Sequence, residues 1–378
     1  MDRWASFVDW CKKRSKLKVR TFNPKNIMVV TLSVVLISLI ASGAWLYQAL
    51  SVAQTVELTK YNYATLFPTL RITEDTTLTE DHHGMVVIDA DGVTLDGNGH
   101  TITGPGVWMW SSTQRMWDFS TGITLYGRTG VTVKNCCVTN FSAGVFLDSC
   151  NGNMLLNNTI YNNVEWGILL SAAYNNTILD NTVYGIRDVV SNFDGAGFIV
   201  EMSFGNTFKG NVAYDNGRGF SIGEFERETF EEHFESHRGF LPEEYKGIEE
   251  YSGNIFEANT VEGNTEAGFL IGRAPSPPPY RNIFFHNNLI DNAIQAVVQL
   301  EGGYPNTWDD GYPSGGNYWS DYEGVDADGD GIGDTPYDIL PVSYEWDEDD
   351  PYAAPIPILG EPDGNNMDRF PLMAPLNG

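Results

Sequence analysis

Residues 144–181 read GVFLDSCNGNMLLNNTIYNNVEWGILLSAAYNNTILDN. Gly144 and Gly167 open the same phrase, an alternating apolar run, and fourteen positions after each comes an asparagine, Asn158 and Asn181. The period-two alternation, the β-branched residues and the Asn and Gly punctuation describe short strands joined by tight turns. A unit this short cannot bury its own apolar side. Stacked on copies of itself, it shares one continuous core.

Working outward, the glycine recurs at Gly84, Gly122, Gly197, Gly219 and Gly268, with clean spacings of 22, 23 and 22 residues. The asparagine recurs at Asn98 and Asn211, then at Asn259 and Asn288 beyond insertions, and Cys136 takes its place after Gly122. Strand alternation turns Ile123, Leu125, Val145, Leu147, Ile168, Leu170, Phe198 and Val200 inward. It does the same for Ile160, Val183, Ala213, Val261 and Ile290. The glycines are expected to let the backbone turn, and the asparagines to form a hydrogen-bonded column. The expectation is an all-β fold, a right-handed parallel β-helix of about eight coils. An outward apolar column, Val86, Phe146, Leu169, Ile199 and Leu270, is expected to be covered or to line a groove.

The flanks set the compartment. Residues 27–47 carry no charge over 21 positions, enough to span a hydrocarbon core as a helix. The lead at 1–26 holds eight basic residues against two aspartates, a net of +6. That predicts a single-pass anchor with the lead in the cytoplasm and the rest extracellular or periplasmic. The total of −28 leaves −34 on everything after the lead, a charge that excludes nucleic acid as a partner. The expected organisation is a basic segment 1–26, a transmembrane helix 27–47, a linker 48–70, the β-helix 71–305 and a C-terminal cap and tail 306–378. Insertions fall at 105–118, 185–195, 224–250 and 273–280; the third has the charge pattern of a short helix.

Several residues are candidates for chemistry. Asp148 and Glu201 fall on one outward column two coils apart, a separation of about 9.6 Å, just past the range of inverting glycosidases. Trp108, Trp110 and Trp117 in the first insertion suit a ligand such as a surface glycan or an envelope protein. His233 and His237 stand four apart without an evident third metal ligand. Asn140, Asn157 and Asn175 begin N-x-S/T acceptor patterns. In DADGDGIGD, Asp326, Asp328 and Asp330, the Ile332 carbonyl and Asp334 match a calcium loop. Tyr337 stands where a closing glutamate is expected, and Asp338 is its substitute.

The repeats, LDGNGHTITG at 95–104, GGNYWSDYEGVDADGDGIGDTPYDI and the later DRFPLM resemble the NosD-like periplasmic β-helix family, especially its archaeal cell-surface members. The resemblance covers roughly residues 70–373. It implies a right-handed β-helix with repeats related to those of carbohydrate-binding and sugar-hydrolase proteins, and a role in copper delivery to nitrous oxide reductase. The scattered methionines and cysteines do not make a copper cluster, so a binding or structural role at the cell surface is the expectation. A polysaccharide lyase or hydrolase is the alternative.

Overall fold

The computed structural model describes residues 68–105, 120–186, 195–223, 252–272, 281–299, 306–345, 356–362, 364 and 366–376. The chain divides into two units, 1–65 and 66–378, and the second is the one described. Among the described residues no helix is long and apolar enough to cross a membrane. The expected spans at 27–47 and 224–250 lie outside them.

The second unit is a parallel β-helix. Each turn of the chain gives one strand to each of three sheets. The first sheet has 11 strands, from Thr69–Ile72 through Ala143–Asp148, Trp166–Ser171, Ala196–Glu201 and Arg218–Ile222 to Ile356–Leu359. The second has 8 and the third 9, so the described residues form about nine coils, close to the expected number. Coils stack one strand directly on the next: Val145 pairs with Ile168 and Ile168 with Phe198. The inward residues expected in these strands are all buried, and one core runs the length of the stack.

The glycines do not turn the chain. Gly122, Gly144, Gly167, Gly197, Gly219 and Gly268 are absent from the positive-φ residues. They are there for want of space. A Cβ on Gly144 would lie 2.7 Å from the Gly167 carbonyl oxygen, and one on Gly219 would lie 2.7 Å from that of Gly268. Gly84 is one residue out of this register. Met85 occupies the equivalent place, and Val86 pairs with Ile123 and points into the core rather than outward.

The corners turn through residues with positive φ such as Asn157, Asp180 and Gly210, and the next residue is a buried asparagine. There are three asparagine columns. One runs Asn153, Asn176, Asn206, Asn254, Asn282, Asn306 and Asn366. The second runs Asn158, Asn181, Asn211, Asn259, Asn287 and Asn317. The third is Asn163, interrupted by Ile186, then Asn216, Asn264 and Asn292.

Within a rung the amide is fully used. Asn211 donates from its backbone N (2.9 Å) and from Nδ2 (3.0 Å) to Oδ1 of Asn259, and from Nδ2 to the Ile178 carbonyl (2.7 Å). Only a side chain with two donors and a two-lone-pair acceptor at this length closes that pattern. Two expected members are corrected. Asn98 is exposed in a longer corner, where Gly97 takes the buried place. Asn288 faces outward, and the column holds Asn287 and the core Leu289, not Ile290.

Because every rung donates toward the C-terminus, the last one needs an acceptor. Asp368 supplies it: Oδ2 receives Asn317 N at 2.6 Å, Asn317 Nδ2 at 3.3 Å and Trp319 Nε1 at 2.9 Å. Asn366 Oδ1 ends the first column and also receives Trp308 Nε1 at 3.2 Å. Arg369 pairs with Asp309 at 2.6 Å, and Asn288 grips the tail through both backbone groups of Leu376. The first sheet ends on Ile356–Leu359, paired antiparallel to Leu340–Glu345. Gly360 N bonds the Pro341 carbonyl, so by alternation Pro357 occupies an outward site where it offers no N–H to another chain.

Candidate functional site

The three outer faces differ. In most strands of the second and third sheets a single central residue is buried, as in Thr177–Leu179 and Thr182–Tyr184. In the first sheet, Ala143–Asp148 is buried at every position and Trp166–Ser171 at all but the first. The outward apolar column is therefore buried: Phe146, Leu169 and Ile199 cluster with Ala196 against a half-buried Trp166, and Leu270 with Ala267, Val297 and Val342. The segments between described coils also concentrate here. Residues 106–119 and 187–194 separate third-sheet from first-sheet strands, while 224–251, 273–280 and 300–305 follow first-sheet strands. Each of these segments thus connects in sequence to one end or the other of a first-sheet strand.

Polar groups sit within this apolar face. Asp148, Ser171 and Glu201 occupy successive register positions, as the repeat requires, with Asp148 and Ser171 buried. Ser149 Oγ donates to Asp148 Oδ1 at 2.9 Å. Arg218 donates from Nε to Glu266 Oε2 at 2.6 Å and from Nη2 to Oε1 at 3.1 Å, a two-point pair largely out of water. Ser221 stands between Ile199 and Leu270 of the adjacent coils, and among the described residues its buried Oγ has no hydrogen-bond partner. Trp166, Arg218 and Glu266 escaped the sequence reading, which followed only the positions after each glycine. Trp166 and Arg218 immediately precede one. Trp108, Trp110, Trp117, His233 and His237 lie outside the described residues.

At the end of the stack, Asp326, Asp328 and Asp330 bring carboxylate oxygens within 4.8 Å of one another. Asp326 accepts Gly331 N at 2.9 Å through Oδ2 and Gly329 N at 2.6 Å through Oδ1. These backbone donors, Gly331 foremost, hold its carboxyl below the usual carboxylate range. Asp334 accepts Ala327 N at 2.7 Å, and Asp338 lies in a strand paired with Met367; both fall outside the group of three. Ile332 pairs its backbone with Leu372, and Met373 N donates to the Gly331 carbonyl. The loop and the capping tail are one unit. A set of carboxylate oxygens with a nearby carbonyl suits a hard cation.

The sequence model of the family described as periplasmic copper-binding protein (NosD) matches residues 52–232 and 240–324. The chain belongs to the NosD family. No curated protein sequence matches it. Among solved structures, it is similar to the Dettilon tailspike protein, with 15% identity and a TM-score of 0.38 over 60% of this chain and 47% of that one. The catalytic domain of a GH87 alpha-1,3-glucanase in complex with nigerose gives 17% identity and a TM-score of 0.32, over 69% and 42% of the two chains. Pectate lyase Pel9A gives 15% and 0.33, over 69% and 73%. The chain spans about half the length of the tailspike protein and less of the glucanase.

Copper in the NosD family calls for thiolate, thioether or imidazole donors gathered together. Burial pushes the Cys136 and Cys150 thiols up to about 12, which opposes the thiolate a metal needs. Cys137 is half-buried and is raised by burial too. Among the described residues the aspartate loop is the one metal-capable group of His, Cys, Asp or Glu side chains. These donors do not fit copper.

Proposed function

We propose that this NosD-family β-helix is a binding protein of the cell surface or periplasm, and that it holds a glycan or an envelope protein on the first-sheet side, through the segments that join the coils there and not through the sheet face itself, which is already buried. The observation that carries the reading is the contrast between faces. This face is apolar, carries the buried Arg218–Glu266 pair and the Asp148–Ser171–Glu201 row, and takes these segments at one end or the other of its strands, whereas the other two are ordinary solvated sheets. Residues 27–47 anchor the chain by a single pass and keep 48–378 outside. Calcium is held by Asp326, Asp328, Asp330 and the Ile332 carbonyl, with Asp334 and Asp338 closing the site, and it stiffens the cap to which that loop is bonded. The test is retention of the detergent-solubilised full chain on an array of envelope glycans, with and without a calcium chelator. Calcium-dependent retention supports the reading, and no retention on glycans or on native envelope extract removes it.

The register of Asp148 and Glu201 supports a second reading, a polysaccharide hydrolase or lyase with these two acids as catalytic residues. Release of oligosaccharides from acidic polysaccharides that survives unchanged in both Asp148→Asn and Glu201→Gln would eliminate them.

A further inference from the structure

Three N-x-S/T patterns occur in the described coils, at Asn140, Asn157 and Asn175, and the stack places each acceptor on a corner with positive φ. The corners differ. Asn140 and Asn157 are exposed, whereas Asn175 is part-buried, with Nδ2 donating to Asn151 Oδ1 at 3.2 Å. Asn157 Nδ2 donates to Asn135 Oδ1 at 2.8 Å, and this bond needs one of its two amide hydrogens. A substituted carboxamide keeps one N–H, so a sugar can replace the other hydrogen while the corner stays closed.

We infer that Asn157 carries an N-linked glycan and that Asn140 and Asn175 do not. The inference rests on export of the coils and not on what the first sheet binds. In the transfer, the Asn157 amide nitrogen displaces phosphate from C1 of a polyprenyl-phosphate-linked oligosaccharide. A C1–N bond forms, the C1–O bond to phosphate breaks, the phosphate leaves as the anion, and the amide proton passes to the transferase. Thr159, two residues on, faces outward in the third sheet and supplies the hydroxyl of the acceptor pattern. Ser142, the hydroxyl of the Asn140 pattern, is buried against Ser120 in the finished coil, so Asn140 is exposed but its pattern is not. Asn157 lies on the corner between the second and third sheets, opposite the first. A glycan there covers the solvated faces and leaves the first sheet clear.

The experiment is peptide mass spectrometry on the full chain from the membranes of a glycosylating host. Glycans are removed by an amidase in water enriched in heavy oxygen, which marks each former acceptor as a labelled aspartate. The expected result is label at Asn157, none at Asn140 or Asn175, and loss of the Asn157 label in Thr159→Val. That conservative change removes the hydroxyl with little change of shape. An unmodified Asn157 peptide, recovered beside a modified control glycoprotein from the same membranes, overturns the inference. So does label at Asn140 or Asn175 equal to that at Asn157, because it would show that exposure of the corner and its hydroxyl does not select the acceptor.

Discussion

The first coils and the later ones close the same corners by different chemistry. Early in the stack, surface aspartates receive the backbone N–H of a following coil: Asp75 from Thr94 at 2.8 Å, Asp81 from Thr101 at 2.9 Å and Asp91 from Thr129 at 3.0 Å. From Asn153 onward, buried asparagine amides close the corners instead, each Oδ1 receiving the backbone N–H of the preceding coil. The core changes over the same distance. Ile72, Val86, Ile88, Ile123 and Leu125 fill the early coils. In the later ones Phe198, Phe220 and Phe269 stack at 4.4 and 4.9 Å, and Phe208, Phe256, Phe284 and Trp308 at 4.9, 4.7 and 4.2 Å. An aspartate is an acceptor alone and can titrate. An asparagine both donates and accepts, so it can pass the bond on to another coil, and it does not titrate. The lesson is that a column propagates only through residues with both functions, and that it must end on an acceptor.

Breaking a rung should have the largest effect. Asn211→Ala strands the donors of Asn181 and the Ile178 carbonyl inside the stack and leaves Asn259 Oδ1 with the backbone donor alone, and is expected to cost about 3 kcal/mol in urea unfolding. Asp368→Ala removes the terminal acceptor and should cost about 2 kcal/mol, less in Asp368→Asn, which keeps one oxygen. Gly167→Ala drives a methyl against Val183 and the Gly197 carbonyl, for about 1–3 kcal/mol. Asp91→Ala, on an exposed early corner, should stay within about 0.5 kcal/mol.

The ends also respond oppositely to pH. Burial raises the Asp368 carboxyl to about 6, against about 3.9 in an unfolded chain. Its contribution is fully present below the lower value and is lost as pH rises through about 6. The Thr101 N–H, foremost among its partners, holds Asp81 below the ordinary carboxylate range, so its contribution is present above the unfolded value and is lost as pH falls through the folded one. Hydrogen exchange should show the Thr101 amide losing protection on acidification while the Thr182 amide, in a ladder coil, keeps its own. Asp368→Asn should flatten the pH dependence of stability between about 4 and 6. Equal loss of protection at Thr101 and Thr182 would abolish the distinction between the two regions.

The repeat was legible in residues 144–181 because a strand has a strict period of two and stacked coils must repeat their inward positions. Most core positions, the asparagine column through Asn158 and Asn181, the Cys136 substitution and the Asp148–Ser171–Glu201 row followed from spacing alone, whereas Val86 and Ile290 were each assigned the wrong side. Two further columns were written in the sequence as a turn residue followed by asparagine, as in Asn162-Asn163 and Asn175-Asn176, and were read as ordinary turns. Sequence spacing misplaced Asn98 and Asn288, because a corner with two extra residues, or an insertion of unknown length, shifts the count without changing the pattern. What only the tertiary structure decided lies across the coils. It set the glycines against neighbouring carbonyls and buried the first sheet's outer face. It also brought Asn366 and Asp368 back over the end of the stack. Each depends on atoms brought together from separate coils, and a single coil's sequence does not specify its neighbour's exposed groups.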